Sequence, residues 1–354
     1  MKRLLSPKVL IPTVLSVAIL AALLGFGDIH KVLRLMAGFP RIYLLWYLLL
    51  MIAYEAVRCL QWHMLLGALS VRIPIRTQIF AFLTGEVAKT VPVGNYFQNY
   101  LIQRSNGADF GLTSAATTFV VLIETGVSLL GVVILGVGTW SGWLRPVIIV
   151  GLLVTALVVW IVTSLHRAGR APQWMQQRKA WRAVLQELRN FWTGSKQILH
   201  PRVMIVATLL GAIYLLIAAT ALYLVTRGLG INLSIWGAWA VYFFSLAFSL
   251  IFPLPVDIGV LEVSGVGAFL AQGVGRPPAV GAMLINRVLS FGSSLVIALV
   301  GAVALRDEAR QAFRDRPRTG AKDQKQPSPK FPVAGPDQDA DDVTPTHGWT
   351  ANAS

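Results

Sequence analysis

The sequence predicts an all-α integral membrane protein that passes through the bilayer about eight times and contains re-entrant or broken helices. Three observations lead there. Hydrophobic residues make up 55% of the 354 and charged residues only 13%, where soluble domains carry about a quarter charged, and the mean hydropathy is +0.63. The apolar residues are gathered into runs long enough to span hydrocarbon, near 20 residues each, rather than alternating as in strands. Two of those regions are interrupted by proline and glycine, in KTVPVGN (89–95) and FPLPVDIG (252–259).

Charge placement limits the partners. Residues 306–354 carry eight Lys/Arg and eight Asp/Glu, so the whole formal excess of +15 belongs to residues 1–305. That excess is spread over connections between apolar runs, which fits anionic lipid headgroups rather than nucleic acid. Five acids, Glu55, Glu86, Glu124, Asp257 and Glu262, fall in or beside apolar segments, where an ionised group is expensive enough to need a function or a partner. Cys59 is the sole cysteine, so an intrachain disulfide is impossible.

In chain order, residues 9–27 follow the basic start MKRLLSPK; the run is longer than a signal-peptide core and reads as an uncleaved first span. Residues 42–61 form a second span with aromatic ends, on which Glu55 and Arg58, three apart, are placed to pair. Residues 79–105 are apolar at the edges but polar in the middle, at Lys89, Pro92, Gly94, Asn95, Gln98 and Asn99. Two half-helices that dip in and return, bent at Pro92 and Gly94, fit this better than a lipid-facing span. Residues 112–137, bearing Glu124, and 146–165 are further spans, separated by interfacial Trp140 and Trp143.

Residues 166–202 carry eight Lys/Arg against one acid. Within them Trp174, Trp181, Leu185, Leu188 and Trp192 recur at near-heptad spacing, as in a basic amphipathic helix lying at the membrane surface. Four apolar segments follow at 203–225, 235–252, 258–272 and 279–305; the third is short for a span but counts as a passage, because an even number is needed to return the chain to the side of the basic loop, and this makes eight. The basic N-terminus, the 166–202 loop and residues 306–318 are expected on the cytoplasmic side. From about Arg316 onward the composition cannot bury a core and is expected to be a disordered tail. The domains expected are therefore a transmembrane unit, 1–305, and a cytoplasmic tail, 306–354.

The two interruptions set the candidate site. Pro253 and Pro255 lack N–H groups and Gly259 follows, so a helix arriving there must break, and broken backbone in lipid is tolerable only where protein or a water-filled cavity surrounds it. Each interruption precedes a long apolar helix with one ionisable residue, Glu124 or Arg287. Paired interruptions in two halves point to a transporter site near the bilayer midplane. Glu124 and Arg287 have opposite charges and invite a mutual pair, the alternatives for each being backbone carbonyls or a lipid phosphate. Asp257 and Glu262 serve either as polar substrate contacts or as caps on freed N–H groups.

At these residues the chain resembles the flippase-like transmembrane domain of lysylphosphatidylglycerol synthases and their stand-alone relatives. PLPVDIGVLE looks like that family's Pro-x-x-x-Gly-x-x-Glu turn, and NRVLSF looks like its Arg-containing last helix. Pro255, Gly259, Glu262 and Arg287 take the family's positions. The first half departs from it: the usual Gly-Glu-x-x-Arg reads Gly94-Asn95-Tyr96-Phe97-Gln98, without either charge, and the usual Glu-Arg of the next helix reads Glu124-Thr125. The resemblance implies eight spans with re-entrant segments that move a lipid between leaflets. The soluble aminoacyl-transferase domain of the full synthases is not expected in residues 306–354.

The expected function is therefore movement of a polar or anionic phospholipid, or of a lipid-linked headgroup, between leaflets of the cell inner membrane. The headgroup groove would be lined by Lys89, Asn95, Gln98, Asn99, Glu124, Asp257, Glu262 and Arg287. No nucleotide-binding, metal-binding or other cofactor motif is visible, and none is expected. Membrane lipids are the expected partners, with a lipid-modifying enzyme as a further one. A membrane enzyme acting on a lipid headgroup or lipid-linked sugar, and a non-transporting scaffold, are the alternatives.

Overall fold

A computed structural model describes residues 28–88, 96–136, 190–251 and 259–305. The expectations for residues 9–27, 146–165 and the tail, most of the amphipathic loop, Lys89, Pro92, Gly94, Asn95, Pro253, Pro255 and Asp257 lie outside the described residues. Among those described, the regular structure is helical: α1 (Ile29–Ala37), α2 (Arg41–Ala68), α3 (Ile75–Ala88), α4 (Phe97–Asn106), α5 (Phe110–Gly136), α6 (Pro201–Gly228), α7 (Ile235–Ile251), α8 (Val260–Ala271) and α9 (Arg276–Ala304). Helices α2, α5, α6 and α9 are long and apolar enough to cross a membrane. At 1.5 Å per residue α2 reaches about 42 Å, beyond the roughly 30 Å of hydrocarbon, whereas the 12-residue α8 covers only about 18 Å.

The two short pairs are re-entrant. Asn106, at the end of α4, donates its Nδ2 to the Arg72 carbonyl before α3 (3.0 Å), so α3 and α4 begin and end at one face. Gln272, just past α8, donates to the Gly237 carbonyl near the start of α7 (3.0 Å), so the second pair does the same, and because α8 covers only about 18 Å it is a returning hairpin rather than the two passages expected for 235–252 and 258–272.

The order long, short, short, long occurs twice, as α2–α5 and α6–α9, and its turns repeat in detail. After α2, Leu69 N–H bonds Leu65 O and Val71 N–H bonds Leu66 O, with Ser70 at φ 57. After α6, Leu229 N–H bonds Val225 O and Ile231 N–H bonds Thr226 O, with Gly230 at φ 68. Both are helix ends closed by a left-handed residue. The short pairs exit alike, through Gly107 (φ 70) and Gly273 (φ 80).

The two halves are inverted. Gln61, late in α2, donates to the carbonyl of Ala207, early in α6 (2.8 Å), while Gly228 at the end of α6 lies against Phe39 and Tyr43 at the start of α2. Helices α2 and α6 therefore run antiparallel, and the two re-entrant pairs enter from opposite faces. The halves are also interlocked: α2 packs on α6, α3 on α9, and α7 on α5. Two apolar clusters result. One gathers Tyr47, Met51, Tyr214, Phe243, Phe269 and Met283; the other gathers Trp62, Leu65, Phe80, Phe82, Phe119 and Ile123. Outward residues such as Trp46, Leu130, Leu209 and Val303 are exposed, as lipid-facing side chains should be.

Close crossings depend on missing side chains. A Cβ on Gly131 of α5 would stand 2.6 Å from Cγ of Phe243 on α7. Gly131→Ala should lower stability by about 1–3 kcal/mol, read as an earlier thermal unfolding midpoint in detergent. Gly267→Ala, where nothing lies within 4 Å of the added carbon, should leave the midpoint unchanged or raise it.

Candidate functional site

Two ionic centres occupy the interior, one beside each re-entrant pair. The first is built on Arg58 of α2. Its Nη1 reaches Oε2 of Glu86 on α3 (3.2 Å) and its Nη2 reaches Oε1 of Glu124 on α5 (2.9 Å). Nη1 also donates to the Tyr54 hydroxyl (3.0 Å). The guanidinium carbon lies 5.8 Å from the ring centroids of both Tyr54 and Tyr214, within cation–π range. Glu55, Arg58 and Glu124 are all buried. The forked guanidinium suits this position because its two ends bind two carboxylates at once.

Beside it, between Arg58, Trp62, Phe82, Glu86, Gln98 and Thr117, is a cavity of about 20 Å³. That is room for about one water and far too small for a headgroup. Gln98 and Asn99 of α4 are buried and committed to α5. Gln98 Nε2 donates to Thr117 Oγ1 (3.0 Å), Thr117 Oγ1 donates to Asn99 Oδ1 (3.0 Å), and Asn99 Nδ2 reaches Ser114 Oγ (3.4 Å). This seam fastens the returning half-helix α4 to the long helix behind it.

The second centre joins α8 to α9. Gly259 has φ 110, a backbone region that side chains rarely tolerate and glycine enters freely. Its N–H donates to Oε2 of Glu262 (2.6 Å), so Glu262 reaches back over the first turn of α8 to satisfy an otherwise orphaned donor. The other oxygen of Glu262, Oε1, faces Arg287 Nε at 3.1 Å. Side-chain exposure differs sharply across this pair: 0% for Glu262 and 31% for Arg287. Only Nε of Arg287 is engaged among the described residues. Arg287 lies eleven residues into α9, about 16 Å along the helix axis, close to half the hydrocarbon depth.

The sequence expectations are redrawn in two places. Arg58 turns to Glu86 and Glu124 rather than to Glu55, whose Oε1 accepts from Ser294 Oγ on α9 (2.8 Å). Glu124 and Arg287 do not form a pair, because each is taken by the centre beside its own re-entrant segment. Glu86 was visible only as one of five acids in apolar sequence, and no spacing rule tied it to Arg58, 28 positions away. A count of intramembrane charges was the available signal, since Glu86 and Glu124 both require a cation and Arg58 lies within a span.

Tyr47 of α2 and Asn286 of α9 are hydrogen-bonded (3.0 Å), and Glu55 with Ser294 lies eight residues further along both helices. A polar seam therefore runs between α2 and α9 from the neighbourhood of Arg287 towards that of Arg58.

The family model described as Lysylphosphatidylglycerol synthase TM region matches residues 13–301. No curated protein matches the chain.

Removing one partner of a buried ionic centre leaves the others uncompensated, at a cost of about 3–5 kcal/mol. Arg58→Ala should therefore lower the unfolding midpoint in detergent more than Arg287→Ala, because it leaves two buried carboxylates without their cation instead of one. Arg58→Lys should recover little, because a single ammonium cannot fork between two helices.

Proposed function

The chain belongs to the Lysylphosphatidylglycerol synthase TM region family, a lipid-handling membrane family, and from that membership we propose that it carries an anionic or polar lipid headgroup between leaflets. The observation that carries this reading is the half-open Arg287. One nitrogen of its guanidinium is anchored by a fully buried carboxylate, while the terminal nitrogens have no partner among the described residues. Val288 and Phe291, beside it on α9, are exposed and face the hydrocarbon side.

A cation held at bilayer depth and left open towards lipid suits a phosphate, because a guanidinium binds two phosphate oxygens at once. Glu262 fixes the guanidinium and limits its charge, so phosphate is attracted without being trapped. Acyl chains stay in hydrocarbon throughout, and only the headgroup needs the polar route. The inverted halves supply two related re-entrant pairs opening to opposite faces, as alternating access requires. In this reading the partners are membrane lipids, the chain breaks no bond, and movement follows a gradient rather than nucleotide hydrolysis. The membrane is the cell inner membrane. The face holding the 166–202 loop and both termini is cytoplasmic, because basic segments are retained there.

The test is lipid movement in reconstituted vesicles, followed by accessibility of a labelled anionic headgroup. Arg287→Ala should slow movement by about tenfold or more, as loss of a contact worth roughly 1.5–3 kcal/mol implies, and Arg287→Lys should fall between it and wild type. An unchanged rate in Arg287→Ala removes the assigned role.

A further inference from the structure

A cavity of about 610 Å³ opens at the turn between α2 and α3, against His63, Ser70, Val71, Arg72 and Ile73. Its volume is that of a small-molecule site, unlike the one-water space beside Arg58. Helix α2 outruns the hydrocarbon by roughly 12 Å, so the turn at its end lies at headgroup level. The position is separate from Arg287. Asn286 is level with Tyr47, and His63 lies sixteen residues further along α2, about 24 Å away along the axis.

The charge here has one sign. No acid occurs between Glu55 and Glu86. Arg72 is exposed and joins no ion pair among the described residues, while its carbonyl is held by Asn106. Asp109, an acid at the same face, is already occupied: Oδ1 accepts from Leu112 N–H (3.0 Å) and Oδ2 from Asn190 Nδ2 (2.6 Å). His63 turns its Nδ1 to Oε1 of Gln78 (2.6 Å), which leaves the other ring nitrogen, Nε2, for a ligand. Gln78 is 1% exposed, and its amide nitrogen has no partner among the described residues. A buried donor left open is costly, so an acceptor is welcome beside it.

The twin turn after α6 is furnished differently. Ser70, Arg72 and Pro74 correspond to Gly230, Asn232 and Ser234. Glycine enters the left-handed region freely, whereas Ser70 holds φ 57 there against the preference of a side chain. That conformation is kept together with a hydroxyl at the cavity. Ser234 accepts from Gly237 N–H (3.1 Å) and so caps α7; Pro74 has no group that could do the same for the first-turn donors of α3.

We propose that the α2–α3 turn is a binding site for a phosphate ester, in which Arg72 supplies the charge and Ser70 Oγ and His63 Nε2 contact the phosphate oxygens. A guanidinium engages two oxygens of one phosphate, and the hydroxyl and ring nitrogen reach those that remain. Val71 and Ile73 give the organic part of the ester an apolar wall. The same chemistry recognises a phospholipid headgroup and a soluble phosphate ester. Binding at this turn goes beyond the transport reading and does not rest on it.

The experiment titrates the full chain, in non-ionic detergent, with short-chain phosphatidylglycerol and separately with glycerol 3-phosphate, and follows the thermal unfolding midpoint. At least one probe should raise the wild-type midpoint to saturation. Binding of the lipid about tenfold tighter than glycerol 3-phosphate assigns the site to a membrane headgroup, and equal affinities assign it to a soluble ester. Arg72→Ala should weaken binding by about tenfold or more, with Arg72→Lys between. Arg76→Ala, exposed on the next turn but outside the cavity lining, should bind as wild type does. Ser70→Gly should leave the ligand-free midpoint unchanged or higher and still weaken binding by about threefold or more, a combination that a merely structural serine does not give. Saturation by neither probe, or an affinity unchanged in Arg72→Ala, overturns the proposal. So does binding lost in Arg287→Ala and kept in Arg72→Ala, which places the ester at Arg287 and supports the transport reading instead. Binding lost in Arg72→Ala and kept in Arg287→Ala supports the turn site even in a protein that moves no lipid.

Discussion

The interaction on which the rest depends is that of Arg58 with Glu86 and Glu124. Three charges from three separate elements meet between the two apolar clusters, at a depth where bulk water does not solvate them. In hydrocarbon an ion must bring its partner along, so this contact fixes where α3 stops, how α5 is rotated, and which side of α2 faces inward. The tyrosines at positions 54 and 214 complete the enclosure by presenting ring faces to the guanidinium. An apolar substitute would free these elements from a common register, and the re-entrant half-helix would lose its deepest anchor.

The inverted repeat gives the second centre a matching position with opposite consequences. Both centres lie by the inner end of a re-entrant pair and both join a short helix to a long one. The turns that lead into them are nearly superimposable in hydrogen-bond pattern. Yet the side chains of the first are all nearly buried, 11% exposed for Arg58, 7% for Glu86 and 10% for Glu124, while Arg287 in the second is 31% exposed. Duplicated backbone has thus been furnished with unlike chemistry: two acids meet a nearly buried arginine in one half, and one acid meets a more exposed arginine in the other. Interlocking of the halves, with α3 on α9 and α7 on α5, means that neither centre can shift alone.

Much of this was legible in the sequence because bilayer physics is severe. Composition sufficed for the class, and the proline and glycine of the first interruption, with polar Gln98 and Asn99 nearby, sufficed for its re-entrant pair; the second interruption was read as a break between two passages, because 235–252 is apolar enough to pass for a span. The partnerships were not legible. Glu55 and Arg58 are a good helical pair by spacing, but spacing counts only neighbours on one helix, and α3 and α5 present stronger acceptors across the interior. Glu124 and Arg287 look complementary because each is the lone ion well inside its long helix; only the packing shows that each faces its own re-entrant pair. The inversion was hidden too, because the turns at Ser70 and Gly230 share backbone geometry rather than residue identity.

The central claim is that a hydrophilic route reaches bilayer depth beside Arg287. Labelling by a small, water-soluble, membrane-impermeant thiol reagent tests it most directly, in a chain whose Cys59 is first replaced by alanine. Ser290→Cys lies one turn from Arg287 towards the polar seam, and Val288→Cys lies on the exposed apolar side. The account predicts labelling at position 290 in intact membranes and none at position 288. If position 290 stays as unreactive as position 288, water does not reach that depth and no such route exists.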